Sequence, residues 1–358
     1  MAALALPAGA ETFVKGADVG WLPQMEATGY KFYNKQGEQQ DGLQILKDLG
    51  INTVRLRTWV NPSSDKASGH NSKDETVAMA VRAQKMGMRV MINFHYSDSW
   101  ADPQQQRKPA AWVGHDFAQL QKDVYAHTYE VMAALKQAGV SPEWVQVGNE
   151  TRTGMIYPEG HTDNWPQLAK LINQGYDAVK AVSPSSKVVL HLDRGQDNQW
   201  FRTWFDNAKA NGAKYDVIGV SYYPYWLDGR PDYTLSIDDL GNNLNDMAAR
   251  YGKEVMVVEV GGEDSKPQNT YDMLQAVKRK VKAVGPQGPG HHLLGAARRS
   301  QLEPLRTERM GRGRPADQGD GRILGLVIRK CINLRFQCLP GCIYFLQSTI
   351  KTLKERDE

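Results

Sequence analysis

Trp144-Val-Gln-Val-Gly-Asn-Glu150 is the stretch on which the fold turns. Apolar residues surround a single glutamine, run into Gly148, and stop at two polar side chains, Asn149 and Glu150. A parallel strand covered by helices on both faces reads this way, because it has no solvent face to alternate with. Val255-Met-Val-Val-Glu-Val-Gly-Gly262 has the same form and carries Glu259 near its end. Working outward, five more such runs are predicted as strands: Phe13–Val19, Asn52–Thr58, Arg89–His95, Lys187–Asp193 and Asp216–Tyr222. With Trp144–Asn149 and Glu254–Val260 they make seven.

Amphipathic helices fill the intervals. Ser72 and Glu75 form an S-x-x-E capping box ahead of a helix that runs to Met86. Gly50, Gly87, Gly139, Gly212 and Gly252 stand where helices should stop, as glycines just past a helix end do. Seven β/α units allow an open doubly wound sheet or a (β/α)8 barrel. The turn after the first strand, Gly20-Trp-Leu-Pro-Gln-Met25, lacks the glycine fingerprint of a nucleotide-binding sheet. Polar and aromatic residues gather instead at the C-terminal strand ends, the rim where barrels build their active sites. The expectation is therefore an α/β (β/α)8 TIM barrel. No eighth strand is legible after the helix predicted over Asn269–Val284.

The chain has 358 residues and a net charge of +4, but the charge is uneven. Residues 288–358 hold 13 Lys/Arg against 7 Asp/Glu, leaving 31 against 33 in the rest. The body is thus mildly acidic and rich in Trp and Tyr. Without a basic patch it carries no nucleic-acid footprint, and it suits a neutral, hydroxyl-rich ligand better than a polyanion. No apolar run is long enough for a transmembrane helix. The three cysteines, Cys331, Cys338 and Cys342, all lie near the C-terminus, so neither disulfides nor a cysteine zinc site organises the body. Residues 1–11 read as the remnant of a signal peptide or a disordered start, which implies a secreted or periplasmic protein.

Residues 12–287 read as the barrel domain, and 288–358 as a basic tail without periodicity. Read one nucleotide later, the tail from Pro289 permits codons for an apolar strand closing on Trp-Glu-Pro, a candidate for the missing eighth strand. The tail is accordingly expected to be out of frame, to be non-native, and to add no strand to the barrel.

Glu150 and Glu259 carry the chemistry. One glutamate at a strand end is more often an ion-pair partner. Two of them, on strands four and seven and one preceded by Asn149, would face each other across the barrel mouth. Paired carboxylates about 5–5.5 Å apart serve retaining glycoside hydrolysis, and about 6.5–9.5 Å leaves room for the water of inversion.

The motifs around them resemble glycoside hydrolase family 53, the endo-β-1,4-galactanases of clan A. They are Lys15-Gly-Ala-Asp-Val-Gly-Trp-Leu-Pro-Gln-Met-Glu26, Val54-Arg-Leu-Arg-Thr-Trp-Val-Asn-Pro62, Asn93-Phe-His-Tyr-Ser-Asp-Ser-Trp-Ala-Asp-Pro103, Gln146-Val-Gly-Asn-Glu150, Ser221-Tyr-Tyr-Pro-Tyr-Trp226 and Val257-Val-Glu259. The resemblance spans about Phe13 to Val284. It implies a clan A barrel, an endo-acting retaining hydrolase, Glu150 as acid/base and Glu259 as nucleophile. The implied substrate is the β-1,4-galactan of pectin side chains, with no nucleic-acid or membrane partner, and the protein is expected to be a monomer. Another clan A β-glycanase, such as a mannanase or cellulase, and an inactive galactan-binding remnant are the alternatives.

The remaining site residues follow from these motifs. Asn149 is placed to meet the sugar 2-hydroxyl. Arg57, with Arg55 facing the same way, is expected to hold Glu259 ionised. His95 and Asp98 are expected at the sugar. Tyr222 is the candidate donor to the nucleophile, with Tyr223 the alternative, and Trp59, Trp100 and Trp226 are candidate stacking platforms. No cofactor is expected. Calcium occurs near the last loop in some of the family, but that region is altered here. The loop after Glu150, Thr-Arg-Thr-Gly-Met-Ile-Tyr157, departs from the Asn/Gly-rich family version.

Overall fold

A computed structural model describes residues 13–227, 232–263, 265–284 and 345–346. In chain order its elements are β1 (Gly16–Asp18), α1 (Leu22–Ala27), α2 (Gly42–Asp48), β2 (Thr53–Thr58), α3 (Lys73–Lys85), β3 (Arg89–Phe94), α4 (Phe117–Gln137) and β4 (Trp144–Val147). Then come α5 (Trp165–Val182), β5 (Lys187–Leu192), α6 (Asn198–Ala210), β6 (Val217–Tyr222), α7 (Ile237–Tyr251), β7 (Glu254–Val260), α8 (Pro267–Ala283) and β8 (Phe345–Leu346). The strands pair in parallel and in sequence order, and they close into a barrel. The seven strands read from the sequence all form, each within a few residues of its expected bounds.

Local signals act as their chemistry dictates. Ser72 caps α3 with the complete reciprocal box to Glu75. Gly50 and Gly139 take φ of 89° and 77°, a left-handed conformation that costs a residue without a Cβ little. The outer core is the apolar layer between strands and helices, with Val54, Ile92, Val145, Leu190 and Val220 facing Leu120, Leu171, Phe205 and Leu244.

A second, smaller cluster fills the barrel itself: Val14, Met91, Trp144, Val189, Val217, Met256 and Val258. Strand periodicity then decides what lies above it. Two residues beyond Met91, Trp144 and Val189 come Asn93, Gln146 and His191, all fully buried. The barrel is thus apolar at its base and polar just beneath its C-terminal mouth, and β3, β4 and β5 each contribute to both layers by their own alternation.

The closing of the ring corrects one expectation. The tail was expected to add no strand, yet Phe345–Leu346 pairs with Gly16–Ala17 of β1 and bridges to Val260 of β7. Backbone pairing explains this. The facing edges of β1 and β7 present unpaired amide and carbonyl groups, and any extended segment can satisfy them whatever its side chains. The closure is two residues long and does not come from the segment that directly follows α8, so a full eighth β/α unit is not formed among the described residues. The expected signal remnant, residues 1–11, and the rest of the 288–358 tail lie outside the described residues.

Candidate active site

Glu150 follows β4 with φ 46° and ψ 54°, a left-handed conformation unusual for a side-chain-bearing residue. Tyr96 after β3 and Arg194 after β5 also have positive φ, at 49° and 55°. Such conformations cost of order 1–3 kcal/mol each and persist where surrounding structure fixes them, often at functional rims. The turn at Gly148 helps: its φ is 83°, and a Cβ there would lie 2.5 Å from the Thr151 side chain. The chain can therefore reverse tightly and aim Glu150 back over the mouth.

Glu259 arrives by a different device. Along β6 and β7, Val220 pairs with Val257 but Ser221 pairs with Glu259, so Val258 is skipped. Val258 fills the barrel interior. Strict alternation would send the next residue outward. The irregularity instead brings Glu259 level with Ser221 and leaves it buried in the mouth, which is how bulges re-aim a side chain.

Arg55 organises the floor. It is 1% exposed and makes four polar contacts. One Nη1 meets Asp18 Oδ2 at 2.7 Å and Glu259 Oε1 at 2.9 Å. Nη2 donates to Asn149 Oδ1 at 2.9 Å, and Nε donates to Gln146 Oε1 at 3.0 Å. Glu259 also accepts from the Tyr223 hydroxyl through Oε2 at 2.9 Å. Asn149 Oδ1 accepts from Asn93 Nδ2 as well, while its own Nδ2 donates to the carbonyl of Ala101 at 2.8 Å. Both lone pairs of that amide oxygen are therefore occupied, and one N–H is left to meet a ligand.

The two carboxyls differ in electrostatics. Burial raises the pKa of Glu150 well above the ordinary carboxylate value, and the charges of Glu259, Asp193 and Asp102 push it further. Burial also raises Glu259; Arg55 and the Tyr223 hydroxyl pull it only partly back against burial and the charge of Asp18. Glu150 is thus the one that keeps a proton, and Glu259 the one that gives its proton up first. Burial, followed by the nearby arginines, drives His95 well below its usual value and keeps it neutral.

Tyr222, Arg57 and Trp59 sit elsewhere than foreseen. Tyr222 points away from the mouth: its hydroxyl pairs with Ser236 Oγ at 2.8 Å and donates to the carbonyl of Tyr233. Tyr223 is the donor to Glu259, because the residue after Tyr222 shares the inward face of Ser221. Arg57 lies under the Trp100 ring, 4.0 Å from its centroid, and contacts Asp18, so the guanidinium on Glu259 is that of Arg55. Trp59 is buried edge-on against Trp100 and offers no open face. His95 accepts the Ala101 amide at 3.0 Å and packs against Trp100, which shapes the loop after β3. Asp98 accepts from the amides of Asn61 and Ala110 and ties two rim loops together.

Trp226 is 49% exposed and packs against Tyr223 and Tyr225 with ring centroids 4.8 Å away in each case. It is the aromatic best placed to receive a ligand face. The sequence reading passed over His191 and Ser221. Their signal was a polar residue inside each of two apolar strands, at the inward position next above the apolar barrel core. Among the described residues no group of three or more His, Cys, Asp or Glu side chains could hold a metal ion.

Comparison with known proteins gives a consistent picture. The family model described as Glycosyl hydrolase family 53 matches residues 14–292. An arabinogalactan endo-beta-1,4-galactanase of Thermothelomyces thermophilus is 35% identical over 270 residues, 74% of this chain and 78% of that protein. Among solved structures, fungal beta-1,4-galactanases superpose with a TM-score of 0.70 at 31% identity, covering 76% of this chain and 86% of theirs. The Ignisphaera aggregans GH53 catalytic domain superposes with a TM-score of 0.69 at 29% identity, covering 76% and 82%.

Proposed function

The chain belongs to glycosyl hydrolase family 53, and from that premise we propose that it is an endo-β-1,4-galactanase that cleaves (arabino)galactan with retention. One observation carries the assignment of roles: two carboxyls at the barrel mouth, Glu259 buried and Glu150 half-buried, with opposite surroundings. Glu259 rests between a guanidinium and a phenol, both of which favour its anion. Glu150 is crowded by other carboxylates, which favour its acid form.

The steps follow. The Glu259 carboxylate attacks the anomeric carbon from the face opposite the leaving group. The C–O bond breaks as Glu150 passes its proton to the departing oxygen, leaving a galactosyl ester on Glu259. Esterification removes the charge of Glu259, one of the main causes that hold Glu150 in its acid form. Glu150 then serves as base: it takes a proton from water, whose oxygen bonds the anomeric carbon while the ester bond breaks and the Glu259 carboxylate is restored. The spare N–H of Asn149 is available to a sugar hydroxyl as the oxocarbenium character grows. Trp226, with Tyr223 and Tyr225 behind it, offers a stacking face to a neighbouring galactose.

The direct test is hydrolysis of debranched galactan. An endo-acting enzyme lowers viscosity long before reducing ends accumulate, and activity confined to mannan or cellulose would reject the substrate assignment. The tail is a separate matter. The family match stops at residue 292, close to the change of composition at Gly288, which supports reading the tail as out of frame. Resequencing the gene across that codon decides it.

A further inference from the structure

Between the two carboxyls runs a buried chain of side chains that the catalytic steps above do not use. Arg55 Nε donates to Gln146 Oε1 at 3.0 Å. Gln146 Nε2 lies 2.8 Å from His191 Nδ1. His191 Nε2 lies 2.7 Å from Ser221 Oγ, and Ser221 Oγ lies 2.7 Å from Glu150 Oε1. Gln146, His191 and Ser221 are at most 1% exposed.

The direction of every bond in this chain is fixed at one end. A guanidinium can only donate, so the Gln146 atom facing Arg55 is the oxygen and the one facing His191 is the amide nitrogen. That nitrogen also can only donate. The backbone N–H of Glu150 approaches the same Nδ1 at 3.4 Å. His191 Nδ1 must therefore accept, so its proton is on Nε2. Nε2–H donates to Ser221 Oγ, which frees the serine proton for Glu150 Oε1.

Resting on the functional reading above, we propose that His191 and Ser221 are positioning residues for the acid/base: they present a hydroxyl proton to Oε1 of Glu150, so that the transferable proton resides on Oε2. A carboxyl whose Oε1 already accepts a hydrogen bond carries its acidic hydrogen on the other oxygen. Arg55 thus sets both ends of the reaction, holding Glu259 directly and orienting the Glu150 proton through three intermediates. The groups that face Glu150 are Glu259 of β7, Asp193 after β5, Asp102 of the loop after β3, and Ser221. The three carboxylates favour its acid form and Ser221 opposes them. Burial and Arg55 hold His191 well below the ordinary imidazole value, so the chain keeps its polarity across the working pH range.

Two measurements on the full chain test this. The first is nitrogen NMR of histidine-labelled protein, with the His191 signals assigned by their loss in His191→Asn. Nε2–H with a bare Nδ1 is expected between about pH 5 and 8, and an Nδ1–H tautomer or an imidazolium overturns the relay whether or not the protein is a galactanase. The second compares Ser221→Ala and Ser221→Thr on two substrates. On galactan, whose departing oxygen needs a proton, kcat/KM of Ser221→Ala should fall roughly tenfold to a hundredfold. Its basic limb should move to higher pH, since the lost donor favoured the Glu150 anion, and Ser221→Thr should restore most of both. On 2,4-dinitrophenyl β-galactobioside, whose leaving group needs no acid, the loss should stay within about threefold. Equal losses on both substrates with an unmoved pH profile mean that Ser221 is only structural, and overturn the proposal. A parent protein that leaves galactan intact defeats the functional reading, while the tautomer still decides the relay.

Discussion

Replacing Arg55 should do more damage than any other single change in the barrel mouth. Its side chain makes four contacts of 2.7–3.0 Å to Asp18, Glu259, Asn149 and Gln146, all out of reach of solvent. Arg55→Met leaves the buried Glu259 without its cation and Asp18 with only the longer contact to Arg57, at 3.4 Å. Breaking a buried pair from one side costs about 3–5 kcal/mol, and in a domain of this size that lowers the unfolding temperature by roughly 10 °C. Arg55→Lys should fall between parent and Met. An ammonium keeps the charge but offers three donors from one atom, so it cannot reach four acceptors spread around a planar fork.

The pH dependence identifies the cause. Arg55 pulls the pKa of Glu259 down, so without it the folded variant holds that proton to higher pH. The stability gap between parent and Arg55→Met should therefore be small at low pH and widen as pH rises through the carboxylate range. Calorimetry from about pH 4 to 8 reads this directly. A gap that does not change with pH, or an unfolding temperature within about 1 °C of the parent, would refute the view that Arg55 acts by compensating buried charge.

Four further substitutions separate the roles. Glu150→Gln should abolish turnover of galactan yet stabilise the fold by about 1 kcal/mol at neutral pH. The raised pKa means that ionising Glu150 opposes folding, so calorimetry should show a gain that vanishes below the ordinary value of 4.5. Tyr223→Phe removes a donor from Glu259, so the acidic limb of kcat/KM should move to higher pH with a loss of roughly tenfold or more. Tyr222→Phe should leave that limb in place and cost only about 1 kcal/mol of stability. Trp226→Ala should raise KM for galactan about threefold to tenfold. Its half-exposed position predicts a change in stability within about 0.5 kcal/mol by chemical denaturation.

The strands were legible because parallel strands buried on both faces write themselves as apolar runs, and the helix ends because Gly252 and the Ser72–Glu75 box have local chemistry. Glu150 and Glu259 were legible as charges that an apolar strand would not otherwise carry. What escaped depends on side-chain direction. The skipped Val258 on β7 cannot be read from Val-Val-Glu-Val, yet it decides that Glu259 faces the mouth. The same uncertainty of pleat exchanged Tyr222 for Tyr223, whereas Arg57 and Arg55 share one face of β2 and differ in depth, Arg55 lying one inward position deeper. His191 and Ser221 escaped because a histidine or serine in a strand gains meaning only from neighbours distant in sequence. The closing contact of β8 escaped for a different reason: it is made by backbone groups, which every residue carries.

Chemical rescue of Glu259→Ala tests the central claim most directly. The account predicts that this variant loses turnover of an activated aryl β-galactobioside and that added azide restores it. Azide should enter the space of the missing carboxylate, attack the anomeric carbon, and yield the α-glycosyl azide, whose inverted configuration proton NMR identifies. Azide that restores nothing, or a product that keeps the β configuration, would contradict Glu259 as the nucleophile opposite Glu150.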